Sequence, residues 1–238
     1  MHTKTIPLRP LPPGDGAGRT DPWWMAPLAT MLALAVLAGY SVWAALQGKD
    51  YFFAPYLSPL YTTSPAWIAL WIPIGLRATC YYYRKVYYRG LFWSPPACGV
   101  ADRGGGYGGE ARGWLVLQNV HRYFFYLSLP VLAFIWKDAV AAFRFQGHFG
   151  VGLGSILLLA NAALLSAYAA SCNSCRHVCG GHRKSFHGAP IRHRAWKIVS
   201  RLNERHGEYA WASFASVIAA DLYIRLLASG VLHDPRLF

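Results

Sequence analysis

Long apolar runs constrain the possible folds of this chain more than any other feature of its sequence. A helix needs about 20 apolar residues to cross the roughly 30 Å of hydrocarbon in a bilayer. Residues 25–46 and 149–170 meet this requirement without any charged residue. Residues 66–83, 123–143 and 209–231 meet it with one or two charged residues each. These runs predict an all-α integral membrane protein, folded as a bundle of five transmembrane helices.

The charge balance is also unusual for a soluble protein. Only 14% of the residues are charged and 55% are hydrophobic, whereas a typical soluble domain carries about 25% charged residues. The formal net charge is +13, which would suggest nucleic acid as the partner of a soluble protein. Because the basic residues lie between apolar runs, we instead expect a cytoplasmic membrane face, an acidic protein partner and no nucleic acid.

The distribution of Lys and Arg predicts how the helices are oriented. These residues concentrate in the N-terminal tail and in the loops after the second and fourth runs. They are Lys4, Arg9, Arg19, Arg84, Lys85, Arg89, Arg103, Arg112, Arg122, Arg176, Arg183, Lys184, Arg192, Arg194, Lys197, Arg201 and Arg205. The loops and tail of the other face carry only Lys49, Arg144 and Arg236. The positive-inside rule therefore places the N-terminus in the cytoplasm and the C-terminus outside.

The first apolar run also divides the chain into two parts. It is 22 residues long, whereas the apolar region of a cleavable signal has only about 7–15 residues. We therefore predict that residues 1–24 form a flexible, Pro- and Gly-rich cytoplasmic tail and that residues 25–238 form the membrane domain. The glycine cluster at 104–109 follows no predicted strand, so it indicates a flexible loop and not a phosphate-binding loop.

All the cysteines fall on the cytoplasmic side of this predicted topology. They are Cys80, Cys98, Cys172, Cys175 and Cys179. Disulfides are uncommon on the reducing side of a membrane, where metal binding and redox chemistry are more frequent uses of cysteine. Cys80 alone would also suit a small, buried, apolar position in a helix.

The segment 171–182, S-C-N-S-C-R-H-V-C-G-G-H, is the densest group of potential ligands. Cys172 and Cys175 form a C-x-x-C pair that can hold one metal ion, and His177 follows two residues later. Cysteine and histidine at such spacing suit a Rieske-type cluster, which uses two thiolates on one iron and two imidazoles on the other. A structural zinc site and a thiol redox pair are alternative interpretations.

Two histidines suggest a different redox group. His121 begins the third run and His206 precedes the fifth, both on the cytoplasmic side. Two helices could bring these side chains together as the axial ligands of a b-type haem. The outer-face histidines, His148 and His233, lie in a loop and in the tail, so a second haem near that face has no evident ligand pair.

Polar side chains inside or beside the runs are further candidates for function. Tyr82 and Arg84 belong to an aromatic and basic run, which is typical of an interfacial belt but would also suit a quinone-binding pocket. Arg77 lies inside its run, where a charge must find a partner or water. Asp221 and Arg225 are one helical turn apart in the fifth run. This spacing suits a structural ion pair, and a carboxylate in a span can also belong to a proton route.

Several of these segments resemble a known protein family. They are R-A-T-C-Y-Y-Y-R-K-V-Y-Y-R at 77–89, S-P-P-A-C at 94–98, L-Q-N-V-H-R-Y-F-F-Y at 117–126 and C-N-S-C-R-H at 172–177. Together they look like the membrane-anchor subunit of succinate dehydrogenases and fumarate reductases of the actinobacterial haem-free type. The resemblance extends from about residue 51 to the C-terminus and leaves out the N-terminal tail.

The resemblance implies a multi-pass anchor in the bacterial cytoplasmic membrane. Its partners would be a flavoprotein and an iron–sulfur subunit, with a further small membrane subunit as another candidate. The resemblance also implies electron transfer to menaquinone through a Rieske-type [2Fe-2S] cluster, which in this family stands in place of haem. The succinate chemistry itself would belong to the partner subunits.

The resemblance also selects candidate ligands for that cluster, of which four are needed. The matched positions are Cys80, Cys98, Cys172, Cys175, His177 and His121. Cys172 and Cys175 are favoured for the thiolate iron, and His177 and His121 for the imidazole iron. Two other functions stay open at this point. One is a b-type haem anchor that uses His121 and His206, and the other is a zinc-stabilised membrane scaffold or transporter without a redox role.

Overall fold

The computed structural model describes residues 22–46, 55–56, 66–87, 91, 120–181 and 183–237, and these are mostly helical. Four long helices dominate the fold: α1 (Met25–Leu46), α4 (His121–Ala141), α5 (Leu153–Ala170) and α8 (His206–Ala228). The shorter helices are α2 (Ala66–Ala78), α3 (Tyr81–Tyr87), α6 (Asn173–Arg176) and α7 (Pro190–Glu204), and a π-helical turn, His177–Gly181, follows α6. Strands β1 (Arg144–Phe145) and β2 (His148–Phe149) form a hairpin between α4 and α5.

The helices α1, α4, α5 and α8 are long and apolar enough to cross a membrane. Helical structure is expected for these runs because hydrocarbon offers no water to the backbone amides and carbonyls, which a helix satisfies internally. Many of their large apolar side chains point outward, as Leu32 and Val36 of α1 and Val140 of α4 do. Such surface suits contact with lipid, and the predicted all-α membrane fold is confirmed.

The second predicted span, residues 66–83, is the one that differs from a simple long helix. It is divided into α2, which has 13 residues, and α3, which has seven. At the division the Thr79 hydroxyl donates to the Gly75 carbonyl at 2.7 Å, and the Cys80 amide donates to the Arg77 carbonyl at 3.1 Å. Bonds of this kind compete with regular helix geometry, and they leave Cys80 at the break between α2 and α3.

The long helices pack in a definite order. Helix α8 lies against α5, α5 against α4, and α4 against α2. Neighbours in this order run in opposite directions, so the end of α2, the start of α4, the end of α5 and the start of α8 lie together. We call this the ligand end of the bundle, and it contains Cys80, His121, Cys172 and His206.

Helix α7 forms part of the ligand end and was not predicted as a separate element. It connects the π-helical turn to α8, and Val199 is its buried residue. Its Asn203 side chain donates to the Ser171 carbonyl at 2.7 Å, which holds α7 against the end of α5. Arg192, Arg194 and Lys197 are exposed on this helix, so the basic loop of the sequence forms an ordered positive surface.

Asp234 organises the opposite end of the bundle. Its carboxylate accepts hydrogen bonds from the Tyr223 hydroxyl at 2.6 Å, from the Gly154 amide at 3.2 Å and from the Tyr56 hydroxyl. Burial raises the pKa of Tyr56 above its ordinary value, and the nearby carboxylate raises it further. The Leu237 amide donates to the Val151 carbonyl at 2.8 Å, so the C-terminal segment is fastened across the start of α5.

A polar cluster attaches α1 to α8. The Arg225 Nε donates to the Asp221 carboxylate at 2.7 Å, and the Tyr40 hydroxyl donates to the same oxygen at 2.7 Å. Arg225 also donates to the Ala44 carbonyl at 3.0 Å and lies over the Trp43 ring. These contacts are what the ion-pair interpretation of Asp221 and Arg225 predicted, whereas a proton route through Asp221 stays a prediction.

We expect Arg225→Met to destabilise the bundle, because it leaves the Asp221 carboxylate without a cation. Loss of one partner of a fully buried ion pair costs about 3–5 kcal/mol, and a smaller loss is expected here because the two side chains are 12% and 22% exposed. The double variant Arg225→Met/Asp221→Asn should recover much of this loss, because it contains no unpaired charge. Thermal unfolding in detergent would compare the two variants, and equal stabilities would show that the pair does not hold α1 in place.

Candidate metal centre

The ligand end brings together thiols and imidazoles that are far apart in the sequence. Cys80 comes from the break between α2 and α3, His121 from the start of α4, Cys172 from the end of α5 and His206 from the start of α8. Cys80, His121 and Cys172 are buried, with 2%, 8% and 3% of their surface exposed, and His206 is partly buried. The meeting of cysteine and histidine at one end of the bundle is therefore as predicted, although the exact set of residues differs in part.

The first thiol–imidazole pair joins α4 to the end of α5. The Nε2 atom of His121 lies 3.0 Å from the Cys172 Sγ, and its Nδ1 atom lies 3.0 Å from the Thr79 hydroxyl. Because Thr79 donates its proton to the Gly75 carbonyl, its oxygen must accept from His121 Nδ1–H. This bond fixes the tautomer in which the Nε2 lone pair faces Cys172.

The second thiol–imidazole pair joins the start of α8 to the break between α2 and α3. The Nε2 atom of His206 lies 3.3 Å from the Cys80 Sγ, and its Nδ1 atom lies 2.7 Å from the Ser171 hydroxyl. The Ser171 hydroxyl donates to the Tyr168 carbonyl at 2.9 Å, so it too must accept from the imidazole N–H. The Nε2 lone pair of His206 therefore faces Cys80.

The two pairs are crossed between the same two chain segments. His121 contacts the hydroxyl of the segment Thr79–Cys80 and the thiol of the segment Ser171–Cys172. His206 contacts the hydroxyl of the second segment and the thiol of the first. Both cysteines thus follow a hydroxyl residue directly in the sequence, but Ser174 also precedes Cys175, so this pattern alone could not have identified Thr79 and Ser171 as positioning residues.

Aromatic side chains enclose the four residues. The Tyr168 ring stacks on the His206 imidazole, with centroids 5.1 Å apart and an interplanar angle of 16°. Leu76, Tyr83, Phe125 and Tyr168 form a buried cluster with Cys80 and Cys172. This enclosure keeps water from the thiols and imidazoles and holds their rotamers.

A guanidinium group lies beside the thiol–imidazole pairs. Arg77 donates to the Tyr83 hydroxyl at 2.8 Å, to the Ala210 carbonyl at 3.0 Å and to the Ser213 hydroxyl at 3.0 Å. Its charge also lies over the Tyr168 and Phe214 rings, at 4.7 and 4.8 Å from their centroids. The Arg77 side chain therefore finds hydrogen-bond acceptors and aromatic faces, and every one of these partners is electrically neutral.

The other predicted ligands lie at the edge of this site. Cys175 is partly buried against the aromatic cluster. Burial raises the pKa of Cys175 to about 12, with Cys179 as the next cause, and burial likewise raises the pKa of Cys172. His177 is exposed at the start of the π-helical turn, and Cys98 lies outside the described residues.

The predicted quinone residues flank the ligand end. The Tyr82 hydroxyl accepts a hydrogen bond from Trp211 Nε1 at 2.8 Å, and the Tyr82 ring meets the His206 ring edge to face at 6.4 Å. The Arg84 guanidinium lies over the Tyr81 ring, 4.5 Å from its centroid. Tyr82 thus links the helix surface to a buried imidazole, whereas Arg84 lies farther out along α3.

Within the described ranges, no group of three or more His, Cys, Asp or Glu side chains converges as it would around a single metal ion. The donors form two thiol–imidazole pairs instead. This arrangement does not resemble a closed zinc site, in which four ligands surround one ion. It does supply the two sulfur and two nitrogen donors that a cluster of two irons requires.

Comparisons with known proteins identify the family. Residues 62–230 match the model of the actinobacterial succinate dehydrogenase subunit SdhC. A chain of the Mycobacterium smegmatis Sdh1 complex in the apo form is 40% identical, with 98% of each chain covered and a TM-score of 0.86. A comparison with curated proteins gives no match. The resemblance drawn from the sequence motifs is confirmed, and the chain belongs to the family of actinobacterial succinate dehydrogenase SdhC membrane subunits.

Proposed function

We propose that this membrane subunit passes electrons from the iron–sulfur subunit of a succinate dehydrogenase complex to menaquinone through a Rieske-type [2Fe-2S] cluster. The proposed ligands are Cys80, Cys172, His121 and His206. The single observation that carries this proposal is the pair of crossed thiol–imidazole contacts at the ligand end. This set differs at two residues from the ligands favoured in the sequence analysis. His206 replaces His177, and Cys80 replaces Cys175.

The residues at the ligand end fit such a cluster chemically. Two thiolates and two neutral imidazoles are its donor set, and both imidazoles already present an unprotonated Nε2 atom. The Tyr168 hydroxyl is buried beside Cys80 and makes no hydrogen bond of ordinary geometry. A buried donor of this kind requires an acceptor, and a thiolate at Cys80 would provide one. When bound, the cluster would supply one-electron transfer.

The residues of this chain orient the imidazoles and exclude water from the sulfur atoms. Thr79 and Ser171 hold the two imidazoles in one tautomer, and hydrogen bonds of this type also raise the basicity of a metal-binding histidine. Tyr83, Phe125 and Tyr168 keep water away from the sulfur atoms. Burial raises the pKa of the Cys172 thiol, so metal binding would have to release its proton, and assembly is expected to be favoured at higher pH.

The partner subunits would dock at the ligand end. Its basic loops carry most of the excess positive charge of the chain, and α7 presents several of these residues on an ordered surface. Complementary charge accelerates and orients protein association, which suits a soluble iron–sulfur subunit that carries a flavoprotein on its far side. Electrons would then enter the membrane subunit close to Cys80 and Cys172.

Quinone reduction is assigned to the membrane edge of the same end. Tyr82 offers an aromatic surface and a hydroxyl near His206, and Arg84 offers a cation farther along α3. These groups suit the ring and the carbonyl oxygens of a menaquinone, so we retain both as proposed quinone-binding residues.

The zinc scaffold or transporter is disfavoured, because the family is that of a redox complex.

A b-type haem bound by His121 and His206 is the remaining alternative. The two imidazoles do lie at one end of the bundle, as that interpretation required. However, each Nε2 atom faces a thiol at 3.0 or 3.3 Å, and the Tyr168 ring is stacked on His206. Either group would replace these Nε2–thiol contacts with bonds to iron, but a haem would also need room for a large flat macrocycle beside the Tyr168 ring, so we favour the smaller cluster.

Replacement of the two proposed thiolate ligands should abolish the cluster. We expect Cys80→Ser and Cys172→Ser to remove the electron paramagnetic resonance signal of the reduced [2Fe-2S] centre in the purified complex. Cys179→Ser is the matched control and should retain the signal, because its thiol contacts neither His121 nor His206. Cys175→Ser should also retain it, and loss of the signal in Cys175→Ser would restore Cys175 as a ligand.

Removal of the two positioning hydroxyls should weaken metal binding without abolishing it. Loss of a hydrogen bond that orients a ligand typically lowers metal affinity about 10- to 100-fold. We therefore expect Thr79→Val and Ser171→Ala to lower the content of iron and acid-labile sulfide per chain, most clearly in the presence of a chelator. Ser166→Ala is the matched control: the Ser166 hydroxyl of α5 donates to the Ala162 carbonyl and accepts from Trp136 Nε1 of α4, so the change also removes two hydrogen bonds, but neither involves an imidazole. Iron contents equal to that of the control would contradict the assigned hydrogen-bond directions.

A further inference from the structure

Arg77 is an ionised side chain that has no role in the electron transfer proposed above. It is at the last turn of α2, three residues before Cys80. Its guanidinium points into the bundle and is partly buried there, and it donates to groups on α3 and α8. An arginine that only anchored the helix to the membrane surface would extend toward water instead.

The charge of Arg77 is held without a carboxylate. Among the described residues, its hydrogen-bond partners are two hydroxyls and one carbonyl, and the rings around it are uncharged. An ionised group in such surroundings costs free energy unless it is paired. A guanidinium does not lose its proton in proteins, so the site keeps a permanent positive charge that the surrounding residues fix in place.

This charge lies close to the proposed ligands. Arg77 precedes Cys80 by three residues in the last turn of α2, and its guanidinium donates to the carbonyl of Ala210, one helical turn after His206. It also lies over the Tyr168 ring, and the same ring stacks on His206. Because the surroundings are apolar, interactions between charges are stronger here than in water.

We propose that Arg77 sets the reduction potential of the centre held by Cys80, Cys172, His121 and His206, an inference that rests on the proposed function. Each electron that arrives from the iron–sulfur subunit would add one negative charge to the site. Arg77 neither gains nor loses a proton in response, so its positive charge stays constant. The fixed cation stabilises this added charge and thereby raises the potential. When the electron leaves for the quinone, the site returns to its original charge.

The same contacts keep the cation at a constant distance from the centre. The Tyr83 hydroxyl accepts from Arg77 and donates to the Ala210 carbonyl at 2.8 Å. The Ser213 hydroxyl, which is fully buried, accepts from the second guanidinium nitrogen. A protein adjusts the reduction potential of a cluster through the net charge and the hydrogen bonds around it. Here the charge is that of the Arg77 side chain.

A redox titration of the intact complex, followed by electron paramagnetic resonance, tests this inference. We expect Arg77→Gln to lower the equilibrium constant for reduction at least tenfold, which corresponds to a shift of about 59 mV to more negative potential. Arg77→Lys keeps the charge and should remain closer to the wild type than Arg77→Gln. Arg144→Gln removes an exposed charge from β1, at the opposite end of the bundle, and should leave the potential unchanged.

A second variant tests the charge while keeping the arginine. Ser213→Asp places a carboxylate against the guanidinium and should also lower the potential. An unchanged potential in Arg77→Gln, or equal shifts in Arg77→Gln and Arg77→Lys, would overturn the inference. If Arg77→Gln does not retain iron, the potential of Ser213→Asp tests the inference instead. Loss of iron from both variants would show that Arg77 acts in assembly, and this result would also overturn the inference.

The failure of the proposed function would look different from the failure of this inference. Absence from the wild-type complex of a Rieske-type signal, distinct from the signals of the iron–sulfur subunit, would contradict the proposed function. A normal wild-type signal whose potential is insensitive to residue 77 would contradict the role of Arg77 alone.

Discussion

The structure depends on one constraint: a polar or charged group that enters the apolar bundle is costly unless it finds a partner there. The two imidazoles of the ligand end satisfy this constraint through crossed contacts, each with one hydroxyl and one thiol from different chain segments. These contacts hold the break between α2 and α3 against the end of α5. Arg77 and the Asp221–Arg225 pair satisfy the same requirement elsewhere in the bundle, the first with neutral partners and the second with an opposite charge.

The parts of the fold that hydrocarbon dictates were predictable from the sequence. Length and apolarity defined the spans, because a bilayer has a fixed thickness, and the bias of Lys and Arg placed Cys80, His121 and Cys172 at one end. The pairing of Cys80 with His206 was not predictable, because it depends on how α8 is rotated against α3 and α5. The long helices are apolar on all sides, so their sequences specify no unique contact face. Short-range spacing favoured Cys175 and His177, whereas the structure places residues from distant segments nearest to one another.

The arrangement explains how an anchor without succinate chemistry can serve a dehydrogenase. Basic loops at the ligand end would receive the soluble subunits, and the buried thiols and imidazoles lie just beneath that surface. Tyr82 then connects the site to the edge of the membrane, where a quinone would bind. The polar cluster around Asp234 lies at the other end of the bundle, where it fastens the C-terminal segment, so the proposed redox groups lie at the end opposite to it.

The most direct test of this account is pulsed electron paramagnetic resonance of the reduced centre in the intact complex, which detects nitrogen nuclei bound to iron. A centre ligated by His121 and His206 should show couplings to two imidazole nitrogens. One coupling should disappear in His121→Ala and the other in His206→Ala, provided that each variant retains part of its iron. A reduced centre without nitrogen coupling, or a haem absorbance band in its place, would contradict the two-thiolate, two-imidazole site on which the account is built.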